Sequence, residues 1–162
     1  MNLSTALRLK PGDLIAFVGA GGKTSSMFTL AQELEKPVIL TTTTHMGAWQ
    51  AALADSHFII HEPGDLSLLK INDKGTILLT GPVGGDDRLS GLDGILMDAL
   101  GDFCEQRGLT LLVEADGARQ RPLKAPAEYE PVIPGFVTKV VVLAGLSGLD
   151  RPLIDEFVHR PD

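Results

Sequence analysis

The chain has 162 residues, 44% of them hydrophobic, which suffices for one well-buried core and is short for two domains. Acidic residues outnumber basic ones by 21 to 14, a formal net charge of −7, so no sequence-wide field draws the chain to nucleic acid or to an anionic membrane. Cys104 is the single cysteine, which excludes an intramolecular disulfide and a thiolate-rich metal site. Met1 to Asp13 lack an apolar core of signal-peptide length, and no segment approaches the roughly 20 apolar residues that span a bilayer. The expectation is a cytoplasmic protein with neither nucleic acid nor membrane as a partner.

Leu14 to Val18 is a short apolar run, read as a buried strand. It leads into Phe17-Val18-Gly19-Ala20-Gly21-Gly22-Lys23-Thr24, the position of a phosphate-binding loop between a strand and a helix. Glycines let backbone N–H groups turn toward a phosphate, and the helix N-terminus adds partial positive charge. Lys23 is suited to reach the terminal phosphates, and the Thr24 hydroxyl to ligate Mg²⁺. Gly19, Ala20, Gly21, Gly22, Lys23, Thr24 and Ser25 are therefore candidate nucleotide-binding residues. Phe17 stands where the longer Walker pattern begins with glycine, so the segment fits only the shorter G-x-x-G-K-T form, which resembles the loop of Mur-type ligases. Met27, Leu30, Ala31 and Leu34 then draw one apolar stripe along a crossover helix.

Val38 to Leu40 reads as the second strand, followed by Thr41-Thr42-Thr43-Thr44-His45 at its expected carboxyl end, the edge where open α/β sheets bind ligands. The hydroxyls of Thr43 and Thr44 are candidates for the γ-phosphate or the metal shell, as against simple strand and cap threonines. For His45 a contact with substrate is the alternative, and the plainer reading without a role is favoured. Phe58 to Ile60 and Ile77 to Leu79 are further strands. Between Ser56 and Arg88 the glycines and prolines predict short strands and loops, with 81–88 either a substrate lip or a turn. Leu92, Ile95, Leu96, Ala99, Leu100 and Phe103 form a second helical stripe before the strand Leu109 to Val113. Helices alternating with apolar strands predict one P-loop NTPase-like α/β domain over residues 1–162, with a mainly parallel sheet covered by helices on both faces.

That strand runs into Glu114-Ala115-Asp116-Gly117, which reads as Walker-B-like. If it persists through Asp116, its period of two puts both carboxylates on one side, one holding a metal-bound water and the other orienting a nucleophile. Thr24 and Asp116 are the candidate metal ligands. Lys23, Glu114, Asp116 and Arg119 are the candidate catalytic residues, against the plainer reading of helix capping or a salt bridge to Arg119. Arg119, Arg121 and Lys124 lie in a proline-rich stretch expected to be an ordered loop over the site, where they neutralise transition-state charge or hold an anionic second substrate, as against a solvated basic loop, which is about as frequent for any single one of them. Val140 to Leu143 is the last strand. Cys104, late on an amphipathic helix, reads as structural.

Taken together, Val18 to Thr24, Thr41 to Thr44, Glu114-Ala115-Asp116-Gly117-Ala118-Arg119, Leu123-Lys124-Ala125-Pro126 and Glu130-Pro131-Val132-Ile133-Pro134 resemble the YqeC family over nearly the whole chain. Proteins of that family are named as accessory factors of selenium-dependent molybdenum hydroxylases or as selenium cofactor biosynthesis proteins. The resemblance implies a role in maturing such enzymes, with molybdenum cofactor or a molybdenum hydroxylase as partner. Family members usually continue beyond a segment like Val158 to Pro161, so the expectation is a chain lacking the C-terminal part of the family's full length.

The leading expectation is an Mg²⁺-dependent protein that binds ATP or GTP and hydrolyses it, or transfers a phosphoryl or nucleotidyl group. The alternative is a nucleotide-switched chaperone or binding partner without efficient turnover. An ATP-dependent ligase is a third reading, for which the sequence supplies no companion ligase domains.

Overall fold

The computed structural model describes residues 2–71, 75–85 and 87–161. In chain order the helices are α1 (Leu3–Ala6), α2 (Lys23–Glu33) and α3 (Gly94–Arg107). The strands are β1 (Leu14–Gly19), β2 (Val38–Thr42), β3 (Met46–Gly47), β4 (Ser56–Ile59), β5 (Thr76–Thr80), β6 (Arg88–Leu89), β7 (Thr110–Glu114), β8 (Leu123–Lys124), β9 (Lys139–Leu143) and β10 (Val158–His159). Six of them make one sheet in the order β4-β5-β2-β7-β1-β9, every pairing parallel. Two-residue pairs form apart from it, β8 with β10 in parallel and β3 with β6 antiparallel. The expected α/β class with a parallel sheet holds.

Alternation along the central strands divides the core into two layers. Leu14, Ala16 and Val18 of β1 and Leu111 and Val113 of β7 face α3, joining Leu96, Leu100, Phe103 and Cys104. Ile15 and Phe17 of β1 and Leu112 of β7 face the other way, against Met27, Phe28, Leu30 and Ala31 of α2. Leu34 ends the predicted stripe outside the helix, in extended backbone as the C-cap. Ile95 was expected on the inner stripe of α3 but is 74% exposed. Leu92, also expected on that stripe, lies just before the helix and is buried. The cover predicted for both faces also stops short at β9, where Val140 and Val142 stand exposed while Val141 and Leu143 pack inward. Across the middle of the chain the structure has the short strands expected, with 3₁₀ turns at Ala48–Leu53 and Pro63–Leu68. In the stretch 81–88, Val83 bridges Leu89 and Gly81 N donates to Ser90 O, which makes it a turn, with Asp86 outside the described residues.

Candidate functional site

Strand parity places the first carboxylate. Glu114 has the same parity as Leu112, so it emerges on the α2 side, where that helix begins with Lys23 and Thr24. Thr24 Oγ1 donates to Glu114 Oε2 at 2.6 Å. The strand ends at Glu114 and does not persist through Asp116. At the next step of the β1–β7 ladder Ala115 N donates to Phe17 O, but Gly19 N then meets Asp116 Oδ2 at 2.9 Å rather than a strand carbonyl. The two carboxylates thus hold opposite ends of the glycine loop. Both also face the Lys23 ammonium, but Glu114, not Asp116, lies against Thr24.

Two glycines are dictated by close approach. Gly19 has φ +92°, and a Cβ there would sit 2.2 Å from Leu143 O. Gly21 has φ +75°, and its Cβ would lie 2.4 Å from Gly145 Cα and 2.9 Å from Pro122 O. Ala20 N donates to Leu143 O, and Gly145 N to Pro122 O, so the loop is clamped between the end of β9 and the stretch entering β8. Gly22 gives α2 no side-chain cap, and the helix carries no acidic residue in its own first turn. Ser25 is exposed and Thr24 half-buried at this uncapped end, which leaves helix N–H groups and positive dipole facing outward.

Lys23 departs from the expectation of an outward-reaching loop lysine. Its side chain is 4% exposed, with Nζ donating to Gly19 O at 2.8 Å and lying 3.2 Å from Asp116 Oδ1 and 3.9 Å from Glu114 Oε1. The reason is electrostatic, since a buried carboxylate pair needs a cation beside it. Asp116 Oδ1 has no hydrogen bond among the described residues and meets the ammonium as an ion pair only. Lys124 is likewise drawn inward, 3.3 Å from Asp116 Oδ2 and 2.9 Å from Glu130 Oε2, with Gly117 O accepting from it at 2.7 Å. It is therefore part of the internal ion chain instead of a free phosphate ligand. Glu130 also pairs with Arg160, which extends the chain from Lys23 to β10's end. Neither carboxylate pairs with Arg119 among the described residues. Burial raises the Glu114 carboxyl above its ordinary range, and the Asp116 charge adds to this against the Thr24 and Lys23 contacts.

The threonines of β2 serve the same carboxylate strand through its backbone. Thr42 Oγ1 and Thr43 Oγ1 donate to Glu114 O at 3.2 and 3.5 Å, and Thr43 N to the same oxygen at 2.9 Å. Thr44 N donates to Thr42 Oγ1. Thr43 therefore lies beside Glu114 and Thr44 against Thr42, both occupied in holding the turn. His45 is exposed, and its carbonyl accepts from Arg88. Arg119 is exposed in a tight turn with Gln120. Sequence reasoning missed His159, which the β8–β10 pairing sets opposite Lys124. A two-residue strand has no periodicity to reveal it. Two surface cavities, of about 300 and 430 Å³, lie at the opposite, amino edge of the sheet and include no residue of the glycine loop.

Cys104 is fully buried, and burial pushes its thiol up to about 12. It is inert by position. Among the described residues no group of three or more His, Cys, Asp or Glu side chains is placed to hold a metal, and no helix is long and apolar enough to cross a membrane.

The sequence profile of the family described as YqeC protein matches residues 15–162. The chain is also 34% identical over 153 residues to the "Uncharacterized protein YqeC" of Escherichia coli (strain K12), an overlap of 91% of this chain and 57% of that protein. It spans a little over half the length of that relative. No solved structure matches it.

Proposed function

The chain belongs to the YqeC family, and from that premise we propose that it is an Mg²⁺-dependent ATP- or GTP-binding factor. Its chemistry in this reading is NTP hydrolysis or phosphoryl or nucleotidyl transfer, in the maturation of selenium-dependent molybdenum hydroxylases. The observation that carries the nucleotide reading is the uncapped start of α2. There a clamped glycine loop, Lys23, and the Thr24 hydroxyl held 2.6 Å from Glu114 meet at the carboxyl edge of a parallel sheet. Thr24 and Glu114 supply two hard oxygen ligands, and Mg²⁺ characteristically takes one or two protein oxygens and completes its shell with phosphate and water. These two residues fit the metal better than Thr24 with Asp116, because Thr24 Oγ1 touches Glu114, while Asp116 Oδ2 accepts from Gly19 N and Oδ1 is ion-paired with Lys23. When bound, the metal would neutralise charge on the phosphates. Lys23 shifts from Gly19 O to a phosphate oxygen in this reading, and Asp116 keeps the loop in shape while it does so.

Calorimetric titration with ATP and GTP, each with Mg²⁺ and with EDTA, tests the reading. Lys23→Ala should weaken binding by on the order of 10- to 150-fold, the loss of one charge-assisted bond of about 1.5–3 kcal/mol. Absence of binding by folded wild-type protein to either nucleotide would remove the proposal.

A nucleotide-switched partner with slow turnover is the second reading, favoured by the ion chain from Lys23 through Asp116, Lys124 and Glu130 to Arg160. A phosphate that recruits Lys23 would change the charge balance along that chain. Phosphate release with and without a molybdenum hydroxylase separates the two: a switch turns over slowly and is stimulated by its partner.

A further inference from the structure

β9 is an edge of the sheet, and one of its faces is bare. In the order β4-β5-β2-β7-β1-β9 it pairs with β1 alone. Leu143 O accepts from Ala20 N in that ladder, so alternation turns the backbone N–H and C=O groups of Val140 and Val142 to the open edge. The side chains of the same two residues stand on the α3 face, 47% and 74% exposed. There the cover ends with Phe136, packed on Gly101 of α3, and Val137. The opposite face of β9 is finished, with Val141 and Leu143 against the α2 layer. Parallel strands are ordinarily buried on both faces, and an open edge is a template for one more strand.

The connections within the sheet indicate what such a strand brings with it. From β1 the chain crosses to β2, toward the β4 edge, with α2 on one face. From β5 it crosses to β7, toward the β9 edge, with α3 on the other face. Reversing direction and face together preserves the hand, so the two crossovers have the same hand, as βαβ units do. A connection leaving β9 outward travels the way β5–α3–β7 does, and by that hand its helix falls on the α3 face. Val140 and Val142 are bare on that very face. The Escherichia coli relative overlaps this chain over 57% of its own length, and the remainder is several times the dozen or so residues that a crossover needs. A second copy of this chain fits less well. Antiparallel pairing of two β9 strands sets the two-fold axis perpendicular to the joint sheet, which fills the edge and leaves the valines of both copies in water.

We propose that β9 is the docking edge for one further strand-and-helix unit of the same polypeptide, supplied in the longer YqeC chains by the part outside these 162 residues. The helix covers Val140 and Val142, and the strand runs parallel to β9 along its open side. The proposal is independent of the nucleotide reading.

Amide hydrogen exchange, read residue by residue by NMR, tests it on the 162-residue chain and on the whole E. coli relative. In the 162-residue chain the Val140 and Val142 amides should exchange fast and the Val141 amide slowly. In the whole relative the matching strand should be protected at consecutive amides, its outward pair slowed on the order of 100-fold or more. A water-soluble paramagnetic agent should broaden the side-chain signals of Val140 and Val142 and spare those at the matching positions of the relative, beneath the helix. Outward amides that exchange as fast in the relative as in this chain would overturn the proposal, as would equal broadening in the two proteins. Slow outward amides in the 162-residue chain, together with a dimer mass in sedimentation, would overturn it in favour of a second copy at the edge. Protection gained along the strand matching β4, with the β9 match still open, would sink it equally. None of these readouts requires a truncated form of the relative to fold.

Discussion

α2 and α3 pack on opposite faces of one sheet, and their N-termini are finished in opposite ways. α3 starts at Asp93, whose side chain accepts from Leu96 N at 2.9 Å and closes the helix end with a negative charge of its own. α2 starts at Gly22, which has no side chain to offer, and the nearest carboxylate belongs to another strand. A helix end needs its N–H groups satisfied. α3 meets that need with its own cap, whereas α2 has no side-chain cap among the described residues. The contrast sets a helix capped by its own side chain against one whose first turn has no side-chain cap, within the same core and the same solvent.

The hardest blow to the open end is Gly21→Ala. The left-handed backbone costs about 1–3 kcal/mol for a residue with a Cβ, and the overlap with Gly145 adds about 1–3 kcal/mol. Chemical denaturation should show the loss, and an unchanged midpoint would mean that the clamp on the loop is slack.

Next comes Asp116→Ala. It leaves the Lys23 and Lys124 ammonium groups, 4% and 1% exposed, without a shared counter-charge, and removing one partner of a buried ion pair costs about 3–5 kcal/mol. The expected result is a large fall in stability even with no ligand present. A variant as stable as the wild type would show that Asp116 is not the brace of the loop.

Glu114→Gln sharpens the comparison through pH. Because the folded-state pKa of Glu114 is raised above its ordinary 4.5, the fold prefers the protonated form. The stability linked to it is complete at pH values below the unfolded pKa and is lost as pH rises through the folded one. Gln keeps an acceptor for Thr24 and never ionises, so the variant should gain on the wild type from about pH 4.5 upward. Thermal melts in EDTA across that range check the sign; a constant difference would contradict it.

The smallest effect belongs to the closed end. Asp93→Ala should cost about 1 kcal/mol, the usual loss of an N-cap, and leave nucleotide affinity untouched.

The alternation of apolar strands with helical stripes was enough to predict the sheet and both major helices. The glycine loop and Glu114-Ala115-Asp116 were likewise legible, because strand, turn and helix succeed one another within a few residues there. What sequence could not convey was which way the charges turn. Lys23 folds back since Asp116, 93 positions on, is buried beside it. Lys124 is drawn off the surface by the same residue and by Glu130. Each outcome depends on a pairing made by β-strand order. His159 lay further out of reach, placed by a two-residue strand whose partner is Leu123–Lys124.

That dependence on distant pairing has a consequence for how the molecule is made. Ala20 is held by Leu143, Gly21 leans on Gly145, and Lys124 is paired beside His159. A ribosome delivers residues at about 5–20 per second, so the loop waits several seconds, at least, between its own emergence and that of its supports. For most of that interval β1 has neither of its sheet neighbours, β7 coming first and β9 last, and contacts of such high sequence separation form late. The nascent chain therefore carries the whole glycine-loop sequence without the contacts that hold it until β9 and then β10 have been added.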